Sequence, residues 1–145
     1  MVFIIVLSIL LLDQGTKLLV SKYLSPHQSL PVIKGVLQLS LVHNRGAAFG
    51  LFKGGVLFFI LTAILAVILI YLNLKKQGWR KISLPAVALG LVLAGALGNL
   101  IDRIVFGYVI DFLDLRIWPV FNIADSAITV GAVLLGYSIL KPKKT

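Results

Sequence analysis

The chain has 145 residues, 59% of them hydrophobic and 13% charged, with a mean hydropathy of +1.04; a soluble domain carries about 25% charged residues, so the composition reads as an integral membrane protein. Five acids, all aspartates (Asp13, Asp102, Asp111, Asp114, Asp125), stand against fourteen Lys and Arg, a net charge of +9, but the basic residues cluster between apolar runs rather than on one face, which argues against nucleic-acid binding. With no cysteine there are no disulfides, thiol nucleophiles or Cys-ligated metals, and two isolated histidines, His27 and His43, without any Glu make a poor zinc-hydrolase site.

A spanning helix needs roughly 20 mostly apolar residues. Four runs qualify: residues 2–20, broken by Asp13 and Lys17; residues 54–74 and 82–101, both uncharged; and residues 121–140. Between Asp125 and Lys141 lie 15 uncharged residues, about 22 Å of helix. The fourth span therefore has to start near Phe121, which puts Asp125 about one turn inside it. The first run lacks a basic n-region and a small-residue cleavage site, so it is expected to be a retained span rather than a signal peptide.

An even number of spans puts both termini on one side. Seven Lys and Arg fall on each side, but residues 75–81 and 141–145 hold seven in twelve positions, whereas residues 21–53 and 102–120 hold six in fifty-two. The positive-inside rule then makes the hairpin, the tail and both termini cytoplasmic. In the first outer connection, VLQLSLVHN (residues 36–44) alternates apolar and polar positions, and Pro26, Pro31 and Gly35 punctuate the approach. The expected fold is an all-α integral membrane protein of four transmembrane helices with a small extracytoplasmic β element at about residues 30–50, a single membrane-embedded domain over residues 1–145. The GxxxG of Gly46 to Gly50 lies in a loop and carries no dimerisation argument.

All five acids fall on the outer side of this topology. A carboxylate at membrane depth costs at least about 2.5 kcal/mol, so an aspartate inside the membrane is a functional-site candidate. Asp13 is either such a site or one half of a structural i,i+4 pair with Lys17. Asn99, Asp102 and Arg103, at i, i+3 and i+4, share one helix face, either as a site or as a polar helix end, and Arg103 equally suits a snorkelling anchor. Asp111 and Asp125 are each embedded in apolar residues. If the connection after the third span folds back over the helix ends, they form either a dyad sharing one proton, as in aspartic proteases, or a proton-relay pair in a transporter. HNRGAAFG (residues 43–50) is either a peptide clamp, with Asn44 supplying donor and acceptor and Gly46 leaving room, or a tight turn. His43 is expected on the rim, His27 in a loop, and Asp114 as a solvated loop charge or a partner for Arg116.

Five of these segments, DQGTK (residues 13–17), NRGAAF (44–49), GNLIDR (98–103), VIDF (109–112) and FNIADS (121–126), resemble in order the motifs of the bacterial lipoprotein signal peptidases, signal peptidase II. The resemblance runs nearly the full chain. It implies a four-span inner-membrane aspartic endopeptidase without metal or other cofactor, which cuts the signal peptide from a diacylglyceryl-modified prolipoprotein just before the lipidated cysteine. On this reading Asp111 and Asp125 are catalytic; Asn44, Gly46, Asn99, Arg103 and Asn122 line the substrate cleft; Asp13 and Lys17 support it; and Asp102 orients Arg103. Partners are lipidated precursors and membrane lipid, not nucleic acid, and the chain is expected to act as a monomer. Two departures stand out: Ala94-Gly95 where a Gly-Gly is common, and a short connection between the two catalytic acids, which implies a compact outer flap. Trp118 and Phe121 suit the membrane interface. The competing readings are a small proton-coupled transporter relaying through Asp13 and Asp125, and a lipid-binding protein without catalysis.

Overall fold

The computed structural model describes residues 2–26, 28–46, 55–78 and 83–140. His27, the end of the HNRGAAFG segment, the basic hairpin from Trp79 to Ile82 and the tail from Lys141 lie outside the described residues. Among the described residues, four helices are long and apolar enough to cross a membrane: α1 (Val2–Tyr23), α2 (Val56–Gln77), α3 (Leu84–Phe106) and α4 (Ile123–Leu140). Three strands, β1 (Ser29–Ile33), β2 (Leu37–Asn44) and β3 (Val109–Asp114), form an antiparallel sheet in the order β1-β2-β3.

The helices turn their apolar residues outward as well as inward, since lipid replaces water as the solvent of their outer faces. Within the bundle, α3 is the central helix and packs on α1, α2 and α4. Its contact with α4 depends on small residues, the usual device for close helix approach in membranes. A Cβ added at Gly95 would meet the backbone oxygen of Ala124, and one at Gly98 would lie 3.3 Å from Ala124 Cβ on α4 and 2.5 Å from an Asp13 carboxylate oxygen on α1. The apolar cluster of Val2, Val6, Leu74, Ala86, Leu93 and Ala94 ties α1, α2 and α3 together.

Helix α3 starts on Ser83, whose hydroxyl accepts from Ala86 N. It continues past Ile101 to Phe106 and stops at Gly107, left-handed at φ 76°, whose N–H donates to Arg103 O. Glycine, not the charged Asp102-Arg103 pair, is the stop signal, because both charges find partners inside the protein.

The expected β element is present, and a strand that periodicity did not reveal completes it. Residues 109–114, read from sequence as part of a loop, pair as β3 with β2, with Val42 opposite Asp111 and Asn44 opposite Val109. The pairing is irregular between Leu39 and Val42. Ile110 and Phe112 pack with Val20, Leu24 and Leu41 over the end of α1. Strand alternation then turns Asp111, between them, to the other face.

Candidate active site

Local structure fixes Asp125 first. Asn122 precedes α4, and its Oδ1 accepts from Asp125 N at 2.8 Å while an Asp125 carboxylate oxygen accepts from Asn122 N at 3.2 Å. This is a reciprocal capping box, with Asn and Asp three residues apart. A further free N–H of the helix start, that of Ala124, donates to Asp13 Oδ1 at 2.9 Å. Asp125 thus sits in the first turn of α4, at the positive end of the helix dipole.

Asp111 is fixed across the sheet. Asn44 is its diagonal neighbour on β2, within reach on the same face; Asn44 Nδ2 donates to Asp111 Oδ2 at 2.9 Å, and Gly46 N donates to Asn44 Oδ1. Asn122 Nδ2 donates to the other oxygen, Asp111 Oδ1, at 2.7 Å. One asparagine therefore binds both acids, with its side chain on Asp111 and its backbone N–H and Oδ1 on Asp125. Asp111 is 2% exposed, and burial, reinforced by the charge of Asp125, pushes its carboxyl up to about 7, with the bonds from Asn44 and Asn122 and the charge of Lys17 pulling the other way.

Asn99 orients the second acid. Its Nδ2 donates to Asp125 Oδ1 at 2.8 Å, and its Oδ1 accepts from Lys17 Nζ and from Asn122 Nδ2, both at 3.1 Å. An ammonium only donates, so Lys17 decides which way that amide points. Lys17 also pairs with Asp13 at 2.8 Å and Asp102 at 2.9 Å, and all three side chains are buried.

The two acids open on one cavity of about 260 Å³, walled also by Asn44, Gly46, Asn99, Arg103, Thr129 and residues 118–121. Asn122 does not line it: the side chain is fully buried behind the acids, since both ends of its amide are taken up by them. Asp102 does not orient Arg103. Neighbours in a helix point about 100° apart, so Asp102 faces α1, accepting from Lys17, from Gln14 Nε2 at 3.0 Å and from Ile110 N at 3.0 Å. Arg103 turns instead to Asn99 O and lies 5.2 Å from the centre of the Phe59 ring. Asp114 is not a loop charge but the end of β3, where Gln38 Nε2 donates to it at 2.6 Å; that bond, aided by those from Arg116 N and Ser40, holds its carboxyl below the usual range. His43 stacks on Tyr108 with ring centres 4.1 Å apart.

Gln14 was not singled out in the sequence, yet its Nε2 lies within hydrogen-bond distance of Asp13 Oδ2, Gly98 O and Asp102 Oδ1. As the one amide in the first apolar run, it carried the same signal as Asp13, a polar group at membrane depth. Thr129, also passed over, had no such signal, because a threonine in a helix can bond its own turn, as this one does to Asp125 O. Among the described residues, no three His or acidic side chains converge as a metal site would require.

A family model described as Signal peptidase (SPase) II matches residues 5–141. The chain belongs to the signal peptidase II family. Relatives named lipoprotein signal peptidase include one from Halothermothrix orenii, 50% identical over 136 residues that cover 93% of this chain and 92% of the relative. Another, from Caldanaerobacter subterraneus subsp. tengcongensis, is 48% identical over 97% of this chain and 96% of its own length. A solved bacterial membrane enzyme superposes with a TM-score of 0.88 at 34% identity, covering 99% of this chain and 93% of that one. As a member of the signal peptidase II family the chain is a protease, and the four helices make it a multi-pass membrane protein.

Proposed function

We propose that this protease removes the signal peptide from diacylglyceryl-modified prolipoproteins, cutting before the lipidated cysteine, with Asp111 and Asp125 as an aspartic dyad. The observation that carries the reading is that the two carboxylates share a cavity and a single buried asparagine. Two acids so placed hold one proton between them near neutral pH, and Asp111, at about 7, is the one suited to hold it.

In the proposed reaction Asp125 takes a proton from water as its oxygen bonds to the scissile carbonyl carbon, while Asp111 gives its proton to the carbonyl oxygen. Collapse of the resulting diol returns a proton to Asp111, breaks the C–N bond and passes the proton on Asp125 to the leaving nitrogen. The products are the signal peptide carboxylate and a free amino group on the lipidated cysteine. Arg103, Asn44 and Asn99 edge the cavity and are suited to hold peptide carbonyls in place.

The basic density of residues 75–81 and 141–145 supports cytoplasmic termini and an active site at the outer face of the inner membrane. That depth suits a substrate that stays in the bilayer while its scissile bond must meet water. A proton relay through Asp13 finds little support, since Asp13 is fully buried and paired with Lys17. The test is cleavage of a lipidated precursor by Asp111→Asn, Asp125→Asn and Asp102→Asn. The first two should abolish turnover in folded protein and the third should only reduce it; cleavage by either dyad variant would remove that residue from the dyad, and binding without turnover by the wild type would favour the non-catalytic reading.

A further inference from the structure

Helix α2 packs chiefly on α3. Leu74, near the end of α2, clusters with Ala86 at the start of α3, and at the other end of the pair Phe59, in the first turns of α2, meets Arg103 in the last turn of α3. The two helices are therefore antiparallel, and their outer ends meet at this contact. Arg103 lies over the Phe59 ring with Cζ 5.2 Å from its centre, within the range of a cation–π contact. Before Lys75, α2 carries no charged residue, so what it brings to the guanidinium is an aromatic face.

Arg103 also walls the catalytic cavity beside Asp111 and Asp125. The charges that act on it are those of Asp125 on α4, Asp111 on β3 and Asp102 on its own helix. Among the described residues, however, it pairs with none of them, since both ion pairs belong to Lys17. Its hydrogen bond to Asn99 O is long, at 3.4 Å from Nη1. A guanidinium has five N–H donors, so most are not spent on the protein. An arginine on the wall of a two-carboxylate cavity that touches neither acid has to be held by something else. A planar, weakly hydrated guanidinium stacks readily on an aromatic face, and the Phe59 ring supplies one.

We propose that Phe59 is a positioning residue for Arg103: its ring keeps the guanidinium beside the dyad but off both carboxylates, so that the acids keep their shared proton and the guanidinium donors stay open to the substrate's peptide carbonyls. The assignment rests on the function proposed above, in which the dyad works only while it holds one proton. An arginine bonded to either acid would favour its ionised form and so the loss of that proton. An aromatic ring attracts the cation without competing for the proton. Lys17, the cation of α1 that acts on Asp111, is already committed to Asp13, Asp102 and Asn99. On β2, His43 stacks on Tyr108 instead, and Arg45, past the strand end, is exposed.

The experiment measures kcat/KM for a lipidated precursor from about pH 5 to 9 in Phe59→Leu, with Phe59→Met as a second non-aromatic variant and Phe59→Tyr and Phe59→Trp as aromatic ones. Without the ring the guanidinium is free to bond the dyad, so the alkaline limb should move to lower pH by about one pH unit, a loss of roughly tenfold at pH 8. The aromatic variants keep a ring face and should hold the wild-type limb. Where turnover is too slow to follow, the infrared band of the protonated Asp111 carboxyl, identified by its absence in Asp111→Asn, should vanish at the same lower pH. A loss at every pH with the limb and the band in place would make Phe59 a packing residue. Aromatic variants that shift like Phe59→Leu would show that the ring face is not what holds Arg103. Either result overturns the proposal while the peptidase reading stands, whereas wild-type protein that cleaves no lipidated precursor would overturn both.

Discussion

Asn44→Ala should move the alkaline limb of the pH profile to higher pH. In the proposed mechanism Asp111 must be protonated to donate to the scissile carbonyl, so kcat/KM falls as pH rises through about 7. Asn44 Nδ2 donates to Asp111 Oδ2 at 2.9 Å, and this bond favours the ionised form. A hydrogen bond to a charged group is worth about 1.5–3 kcal/mol, and about 1.4 kcal/mol corresponds to one pH unit. Water entering the space left by Asn44 restores part of the loss, so the expected shift is about one unit. The sign follows directly: with the ionised form less stabilised, Asp111 keeps its proton to higher pH, and the limb moves up.

The assay is kcat/KM for a lipidated peptide from about pH 5 to 9, where kcat/KM reports the free enzyme. If Asn44 contacts only the substrate, the whole curve drops without moving along the pH axis. A limb that stays in place, or moves to lower pH, would refute the role of Asn44 as a partner of the acid and with it the assignment of that limb to Asp111.

Asp111 also links stability to pH. Its carboxyl is raised from 3.8 to about 7 in the fold, so its stabilising contribution is complete below pH 3.8 and is lost as pH rises through about 7, by at most roughly 4 kcal/mol; thermal unfolding of Asp111→Asn should lack that decline, and an equal decline in the variant would place its source elsewhere. Lys17→Met leaves Asp13 and Asp102 buried without their cation, at a cost of about 3–5 kcal/mol, and the triple variant with Asp13→Asn and Asp102→Asn should recover most of it; a Lys17→Met protein as heat-stable as the wild type would show that the cluster is not ionic. Gly95→Ala drives a methyl into the backbone oxygen of Ala124, so α4 must shift. The expected result is a loss of about 1–3 kcal/mol with a fall in kcat greater than the rise in KM, and unchanged kcat would mean that Asp125 tolerates the shift.

The spans and the polar side of the site were legible because lipid leaves a polar group few choices. An aspartate or asparagine at membrane depth must find partners there: Lys17 bonds Asp13, Asp102 and Asn99, and Asn99 bonds Asp125. Strand β3 was not legible. VIDFLD is a short run whose partner, β2, lies far upstream, and six residues cannot show whether they will pair or loop. The direction in which a polar side chain faces was equally hidden. The resemblance implies a cleft position for Asn122, yet capping α4 and bonding Asp111 hold its amide behind the acids. Of the two readings of Asp114, that of a partner for Arg116 agrees with the bond from Arg116 N, while the bonds from Gln38 and Ser40 are not legible because those residues come from another strand.

A buried cation with two buried carboxylates is weak evidence for stability, since desolvation offsets most of the attraction; here its use lies in position. Asp102 accepts from Ile110 N, one residue before Asp111, and Asp13 accepts from Ala124 N, one residue before Asp125. Lys17 neutralises both and also turns Asn99 toward Asp125. One ammonium on α1 thus sets the backbone beside each acid, although neither acid belongs to α1. The two halves of the cluster should therefore fail differently. Asp102→Ala frees the start of β3 and should displace Asp111, moving the alkaline limb of kcat/KM. Asp13→Ala frees the start of α4 and should lower kcat through Asp125 while that limb stays in place. Identical pH profiles for the two variants would mean that the cluster only holds the helices together, without separate control of each acid.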